Sequence, residues 1–312
     1  MYCVRLAVHW LGDIAPMFEL GPYLESKRRV VNGYLEESLS RVAYQGRLMD
    51  AMTYSLMAGG KRLRPILCLA GAEAVGGSAE DALPAACALE MIHTYSLIHD
   101  DLPAMDNDEL RRGKPTCHIA FDEATAILAG DALLTMAFEM LSTGNSAHTR
   151  MPDRWLAVVA RIARAAGSRG MVEGQMRDIA AENTELSLDD LARLHSLKTG
   201  ALIQASVCSG AVLGGGTEAQ IDRLETYARN IGFAFQVKDD LLNVEGDPEL
   251  LGKNVGTDEL RHKSTYPSIM GLDKSKAFAQ ELIEAAISAL DAFDHRSDPL
   301  RAIAKYIIER KR

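Results

Sequence analysis

The chain has 312 residues, 47% of them hydrophobic, and 34 Lys+Arg against 43 Asp+Glu give a net charge of −9. That length supports a large core, while an acidic balance without a dense basic run argues against a nucleic-acid binder or a protein held on anionic lipid. Cys3, Cys68, Cys87, Cys117 and Cys208 show no CxxC spacing, which argues against a zinc site or a disulfide framework and for a reducing, cytoplasmic setting.

In chain order, Met1–Leu20 is mildly apolar but interrupted by Arg5, His9, Asp13 and Pro16. It reads as an untargeted N-terminal extension (1–20). The rest (21–312) reads as one all-α domain, rich in Ala, Leu, Met, Glu and Arg and poor in β-branched alternation. Helices are predicted over Leu24–Ala58, Pro65–Val75, Ala79–His99, Glu123–Leu141, Asp153–Ala166, Arg169–Glu182, Ser187–Leu213, Thr217–Glu245, Lys274–Ala292 and Pro299–Lys311. Breaks fall at Gly59-Gly60, Gly76-Gly77, Gly144-Asn145, Gly214-Gly215-Gly216 and Gly246-Asp247-Pro248, ordinary helix stops. No repeat or flexible linker is visible, and no apolar run reads as long enough to span a membrane.

Two aspartate-rich segments carry the chemistry. The first is Asp100-Asp101-Leu102-Pro103-Ala104-Met105-Asp106; the second is Asp239-Asp240-Leu241-Leu242-Asn243, with Asp247 beyond. Adjacent carboxylates in apolar helical sequence are costly to desolvate unless a cation neutralises them. Hard divalent ions that keep part of their water shell usually bridge to phosphate oxygens, so the pair points to an enzyme acting on a diphosphate. In the second segment, steps of three and four place the side chains on one helix face. In the first, six residues separate Asp100 from Asp106, about 240° around an ideal helix. Pro103 breaks the hydrogen-bond ladder, and a bulge there brings Asp106 beside Asp100. The competing reading is a solvated acidic turn that ends a helix.

Basic residues answer these acids: Lys61, Arg62, Arg64, Arg111, Arg112, Lys198, Lys253, Arg261, His262 and Lys263, with His93 on nearly the same face as Asp100. Arginine forks suit phosphate, and lysine supplies a point charge. Each taken alone is more simply a surface cation or a helix C-cap. Gly60-Lys61 lacks the upstream glycine and the following Ser/Thr of a P-loop.

Taken together, GGKRLRP (59–65), EMIHTYSLIHDDLPAMDNDELRRGKPTCH (90–118), LKTGALI (197–203), FQVKDDLLN (235–243) and LGKNVGTDELRHKSTYP (251–267) resemble the trans-isoprenyl diphosphate synthases, in the family's order and over roughly residues 50–270. The resemblance is strongest to the bacterial type that makes farnesyl diphosphate. It implies a helical bundle around a deep central cavity, a homodimer, and head-to-tail condensation of isopentenyl diphosphate with an allylic diphosphate such as dimethylallyl or geranyl diphosphate. It implies Mg2+, three ions with substrate bound. Asp100 and Asp106 would ligate it with Asp101 in support, and Asp239 would hold a further ion aided by Asp240. Lys61, Arg64, His93 and Arg112 would bind isopentenyl diphosphate. Arg111, Lys198, Thr199, Gln236 and Lys253 would surround the allylic substrate, with Lys263 a further diphosphate contact. Oxygens of Thr199, Gln236 and the Lys198 backbone would face the allylic cation. Gln175 and Asp178 match a segment facing the cavity, although a capping or inter-helix hydrogen bond competes with that reading. Tyr95 and Ser96 would meet the growing chain, and a bulky Tyr95 goes with a fifteen-carbon product; geranylgeranyl diphosphate is the alternative.

The chain departs from the family where Asn243 replaces the usual Asp, an oxygen ligand without a charge, and Lys238 adds a positive charge beside it. Two other classes compete. A non-catalytic partner subunit typically loses aspartates of the first motif, which are all present here. A terpene cyclase has no use for Lys61, Arg64, His93 and Arg112.

Overall fold

The computed structural model describes residues 18–42, 45–143, 150–245 and 263–310. Its architecture is all-α, as predicted. The helices are α1 (Leu20–Ser40), α2 (Arg47–Leu56), α3 (Leu63–Ala74), α4 (Ala79–Asp100), α5 (Cys117–Ala120), α6 (Glu123–Thr143), α7 (Pro152–Ala166), α8 (Met171–Ala180), α9 (Leu188–His195), α10 (Ala201–Leu213), α11 (Glu218–Glu245), α12 (Tyr266–Met270), α13 (Leu272–Ala289) and α14 (Asp298–Glu309). A two-residue antiparallel hairpin pairs Leu110 with Pro115 and Arg111 with Lys114.

Helices α3 and α10 form the centre. Both are apolar around their circumference, as core helices are, and most residues of each are buried. They approach at small residues: a Cβ at Gly210 would lie 1.8 Å from the Cys68 carbonyl oxygen, and one at Gly71 would lie 2.3 Å from that of Val207. Any side chain there would push the two backbones apart. Helices α4, α7 and α11 pack around this pair, and α13 covers α11. Cys68, Cys87, Cys117 and Cys208 are buried and free.

Several expectations change. The predicted helix over Leu24–Ala58 is two helices, because Gly46 at φ 152° caps α2 and turns the chain; Arg47 then pairs with Asp122 beside α6 at 2.6 Å. The predicted helix over Ser187–Leu213 contains a single π-helical turn at Ser196–Gly200. The expected extension gives way by Leu20, which opens α1, and the Phe18 ring packs edge-on to Tyr23. Helix α6, at 21 residues, is long and apolar enough by length and composition to cross a membrane, contrary to expectation. It is nonetheless partly a core helix: Ala126, Ala129, Gly130, Leu133 and Ala137 are buried, and it packs on α4 and α2.

Arg62 answers neither aspartate cluster. Its guanidinium donates to Glu90 at 2.8 Å, to Asn32 at 2.9 Å and to the Leu56 carbonyl at 2.7 Å, and both Arg62 and Glu90 are 2% exposed. Breaking a buried pair strands the surviving charge, which costs roughly 3–5 kcal/mol. Glu90→Ala should therefore lower the unfolding free energy by about that much in urea melts; a loss under about 1 kcal/mol would show that water or a neighbour compensates the arginine.

Candidate active site

Helix α4 ends at Asp100. The chain then turns: the Asp106 amide donates to the Asp100 carbonyl at 2.8 Å, Asn107 donates to Leu102 at 3.1 Å, and Asn107 takes φ 52°. Asp106 therefore returns to Asp100 through a terminated helix rather than a bulge within one. The acidic-turn reading describes the backbone, while both carboxylates still face a cavity. Asp101 faces elsewhere. It is 3% exposed and accepts Arg111 Nε at 2.8 and 2.9 Å and Arg111 Nη2 at 2.5 Å. The structure thus places Asp101 behind Arg111, as its anchor, and not among the cavity's carboxylates.

The polar cavity holds about 340 Å³. Asp100, Asp106 and Arg111 line one wall; Gln236, Asp239, Asp240 and Asn243 on α11 line another; Asp178, His195, Lys198 and Lys263 also line it. Asp240 is buried and accepts the Tyr266 amide at 2.9 Å. An apolar cavity of about 400 Å³ adjoins it, lined by Tyr95, Ser96, His99, Met105, Met171, Val172, Gln175, Met176, Ile179 and Thr199. Leu97, Asp100 and Lys198 line both cavities and so mark the junction.

The π-helical turn presents Lys198 and Thr199 at that junction. Single π turns are frequent at functional sites. Helix α8 rests directly on this turn, because a Cβ at Gly174 would lie 2.2 Å from the Lys198 amide nitrogen. Asp178 on α8 accepts Lys198 Nζ at 2.7 Å and Lys263 Nζ at 2.8 Å. Burial raises the Asp178 carboxyl, but Lys198 and then Lys263 outweigh it and hold the pKa below the usual range. Gln175, one turn earlier, is half-buried, and its two buried amide atoms have no hydrogen-bond partner in the protein.

Arg64 and His93 line the apolar cavity. Burial, then Arg64, Arg112, Arg111 and Arg62, push His93 well below its ordinary pKa, so it is neutral at pH 7. Arg64 Nε is buried without a partner. The Arg112 guanidinium lies on Gly60, whose φ is 123°, and a Cβ there would lie 2.5 Å from Arg112 Nη1. Arg112 also donates to the Gly59 carbonyl. Lys61, next in the chain, is exposed with Nζ 5.9 Å from the Tyr306 ring centroid. The structure thus gathers Arg64, His93 and Arg112. Lys253, Asp247, Arg261 and His262 lie outside the described residues.

The donor set fits a hard divalent ion. Burial raises Asp100 to about 6, opposed by Lys198 and reinforced by Asp106, a penalty that a bound cation would relieve. Among the described residues no three His, Cys, Asp or Glu side chains form a closed metal cage. Carboxylates on facing walls instead suit Mg2+, which binds through one or two carboxylates plus substrate phosphates.

His195, Arg310, Met105 and the Val172–Met176–Ile179 stripe were not singled out in the sequence. The stripe's steps of four and three were a visible signal. For His195 a lone histidine on an apolar face carried none. Its Nδ1 is buried without a partner, and burial, with Asp178 opposing and Lys198 and Lys263 reinforcing, lowers its pKa to about 4. Between pH 4 and 6.5 the unfolded chain therefore holds a proton at this histidine that the fold excludes, so its contribution to stability rises with pH across that window. Asp100, raised to about 6, acts in the opposite sense between about 4 and 6. His195→Asn should flatten the rise relative to wild type by about 3 kcal/mol between pH 6.5 and 4. Parallel stability profiles would place the histidine in contact with water.

A bundle with facing carboxylates, cations beside them and an adjoining apolar cavity is built to hold a charged group joined to an apolar chain. The polyprenyl synthetase family pattern matches residues 45–303, and the chain belongs to that family. It is similar to the Arabidopsis thaliana heterodimeric geranylgeranyl pyrophosphate synthase large subunit 1, at 48% identity over 94% of this chain and 80% of that protein. It is also similar to the Micrococcus luteus farnesyl diphosphate synthase, at 49% identity over 86% and 91% respectively. The crystal structure of an FPP/GFPP synthase from Zymomonas mobilis superposes with a TM-score of 0.82 at 41% identity, over 93% of this chain and 98% of that one. The protein is a prenyltransferase of the chain-elongating, head-to-tail kind.

Proposed function

We propose that the protein condenses isopentenyl diphosphate with dimethylallyl and geranyl diphosphate and releases farnesyl diphosphate. The observation that carries this reading is the junction: Asp100 and Lys198 line both the polar and the apolar cavity, which puts the carbon–oxygen bond to be broken between charge and hydrocarbon. Mg2+ at Asp100, Asp106 and Asp239 would supply neutralising charge to the departing diphosphate. Arg111, Lys198 and Lys263 hold that diphosphate, and Lys253 is assigned to the same role. The Thr199 hydroxyl and the Gln236 amide oxygen turn their dipoles to the allylic cation, while Met105 and Met171 exclude water from it. Arg64, His93 and Arg112 bind the isopentenyl diphosphate, and Lys61 is assigned to the same role. The released diphosphate takes the final proton, so no dedicated protein base is required.

Tyr95, 7% exposed and lining the apolar cavity, supports a fifteen-carbon limit. Relatives named for geranylgeranyl products favour twenty carbons as the second reading. We further propose a homodimer through α6, where Ile127 and Leu128 stand exposed on an otherwise apolar helix. Incubating the purified protein with Mg2+, isopentenyl diphosphate and each allylic primer, then measuring chain length, tests the reading. A twenty-carbon main product would transfer the assignment to the second reading, and no product with any primer would remove both.

A further inference from the structure

An ion pair at the second aspartate cluster stands outside the chemistry assigned above. Arg310, at the C-terminal cap of α14, donates from Nη2 to Asp239 Oδ1 at 2.6 Å and to the Phe235 carbonyl at 3.2 Å, and from Nε to the Ile307 carbonyl at 3.2 Å. Its guanidinium carbon lies 4.1 Å from the Phe235 ring centroid. The Arg310 side chain is 6% exposed, against 40% for Asp239. The cation is therefore locked between α11 and α14, while the carboxylate it touches still opens to the polar cavity.

We propose that Arg310 is a positioning residue and built-in counter-cation for Asp239, which makes metal capture at this carboxylate depend on the substrate's diphosphate. The guanidinium occupies one carboxylate oxygen and leaves the other to the cavity. A divalent ion drawn to that second oxygen meets a fixed positive charge a few ångströms away. In a partly buried site this repulsion outweighs what a single held rotamer contributes. Of the neighbouring positions, Asn243, one turn on, is uncharged, Lys238 precedes Asp239, and the Asp240 carboxylate is buried and accepts the Tyr266 amide. A diphosphate brings both oxygens and negative charge, and with it bound the attraction prevails. The carboxylate is then loaded with metal only when there is a leaving group to activate.

This inference rests on the reading of the polar cavity as a metal–diphosphate site, and the test separates the two. Mn2+ replaces Mg2+ as the probe, free Mn2+ is followed by its EPR signal, and titrations are run with and without inorganic pyrophosphate. Without pyrophosphate, Arg310→Gln should bind Mn2+ about tenfold more tightly than wild type, and Arg310→Lys, which keeps the charge, should stay within about twofold. With pyrophosphate the gap should narrow. Unchanged or weaker binding by Arg310→Gln overturns the proposal. Asp239→Asn, in an otherwise native chain, gives a second arm. It should leave pyrophosphate-free Mn2+ binding unaltered and weaken binding only when pyrophosphate is present; a loss in the absence of pyrophosphate overturns the proposal even if Arg310→Gln does not fold. Failure of wild type to bind Mn2+ with pyrophosphate would instead remove the reading of the cavity itself.

Discussion

Asp100→Ala and Asp239→Asn should each lower kcat by about three orders of magnitude or more while the fold survives. Losing a metal oxygen beside the breaking bond removes several kcal/mol of transition-state stabilisation, and each 1.36 kcal/mol is about tenfold in rate. The two sites predict different stability outcomes. Asp100 is raised to about 6, first by burial and then by Asp106 against the pull of Lys198, so its charged form is disfavoured in the fold. Removing it should leave the melting temperature unchanged or slightly higher at pH 7. Asp239 holds Arg310 at 2.6 Å; asparagine keeps an acceptor there, whereas alanine would strand a buried guanidinium. Circular dichroism and thermal melts establish folding, and steady-state turnover with saturating Mg2+ measures the loss. A folded variant within tenfold of wild type would take that aspartate out of the metal site.

Much of this site was legible because its spacing is local. Asp239, Asp240 and Asn243 lie on α11 as a regular helix places them, and all three line the polar cavity. His93 and Asp100 share a face of α4, as seven residues require. Pro103 correctly marked the place where Asp106 turns back. What escaped depends on contacts distant in sequence. Asp101 and Asp100 are adjacent in the chain, and only the hairpin carrying Arg111 decides that Asp101 turns away. Arg310 is 71 residues from Asp239, and nothing in a lone arginine after a helix announces the pairing. The π turn at Ser196–Gly200 is invisible to a periodicity of 3.6, since one extra residue rephases only the helix beyond it. The split between α1 and α2 hinged on Gly46, one glycine in an otherwise helix-forming stretch, where propensity is a weak guide.

Tyr95→Ala should lengthen the main product by at least one isoprene unit. Tyr95 stands five residues before Asp100 on α4, so a chain entering the apolar cavity from the aspartates meets it about one and a half turns down. The ring is held edge-on to His99, with centroids 5.7 Å apart, and His99 is itself tied to the Ile127 carbonyl at 3.0 Å. Burial and then Asp100 raise the phenol to about 12, so it meets the hydrocarbon uncharged. Ser96 also lines the cavity, but its hydroxyl is turned back to the His93 carbonyl at 2.9 Å. Met91 is the natural competitor from the preceding turn. It is fully buried in the main core and does not line the cavity. Met91→Ala should therefore cost about 2–5 kcal/mol of stability and leave product length unchanged. Reversed-phase chromatography of the dephosphorylated products reads the outcome. Fifteen-carbon product from folded Tyr95→Ala would show that the floor lies elsewhere, and lengthening by Met91→Ala alone would move it one turn up α4.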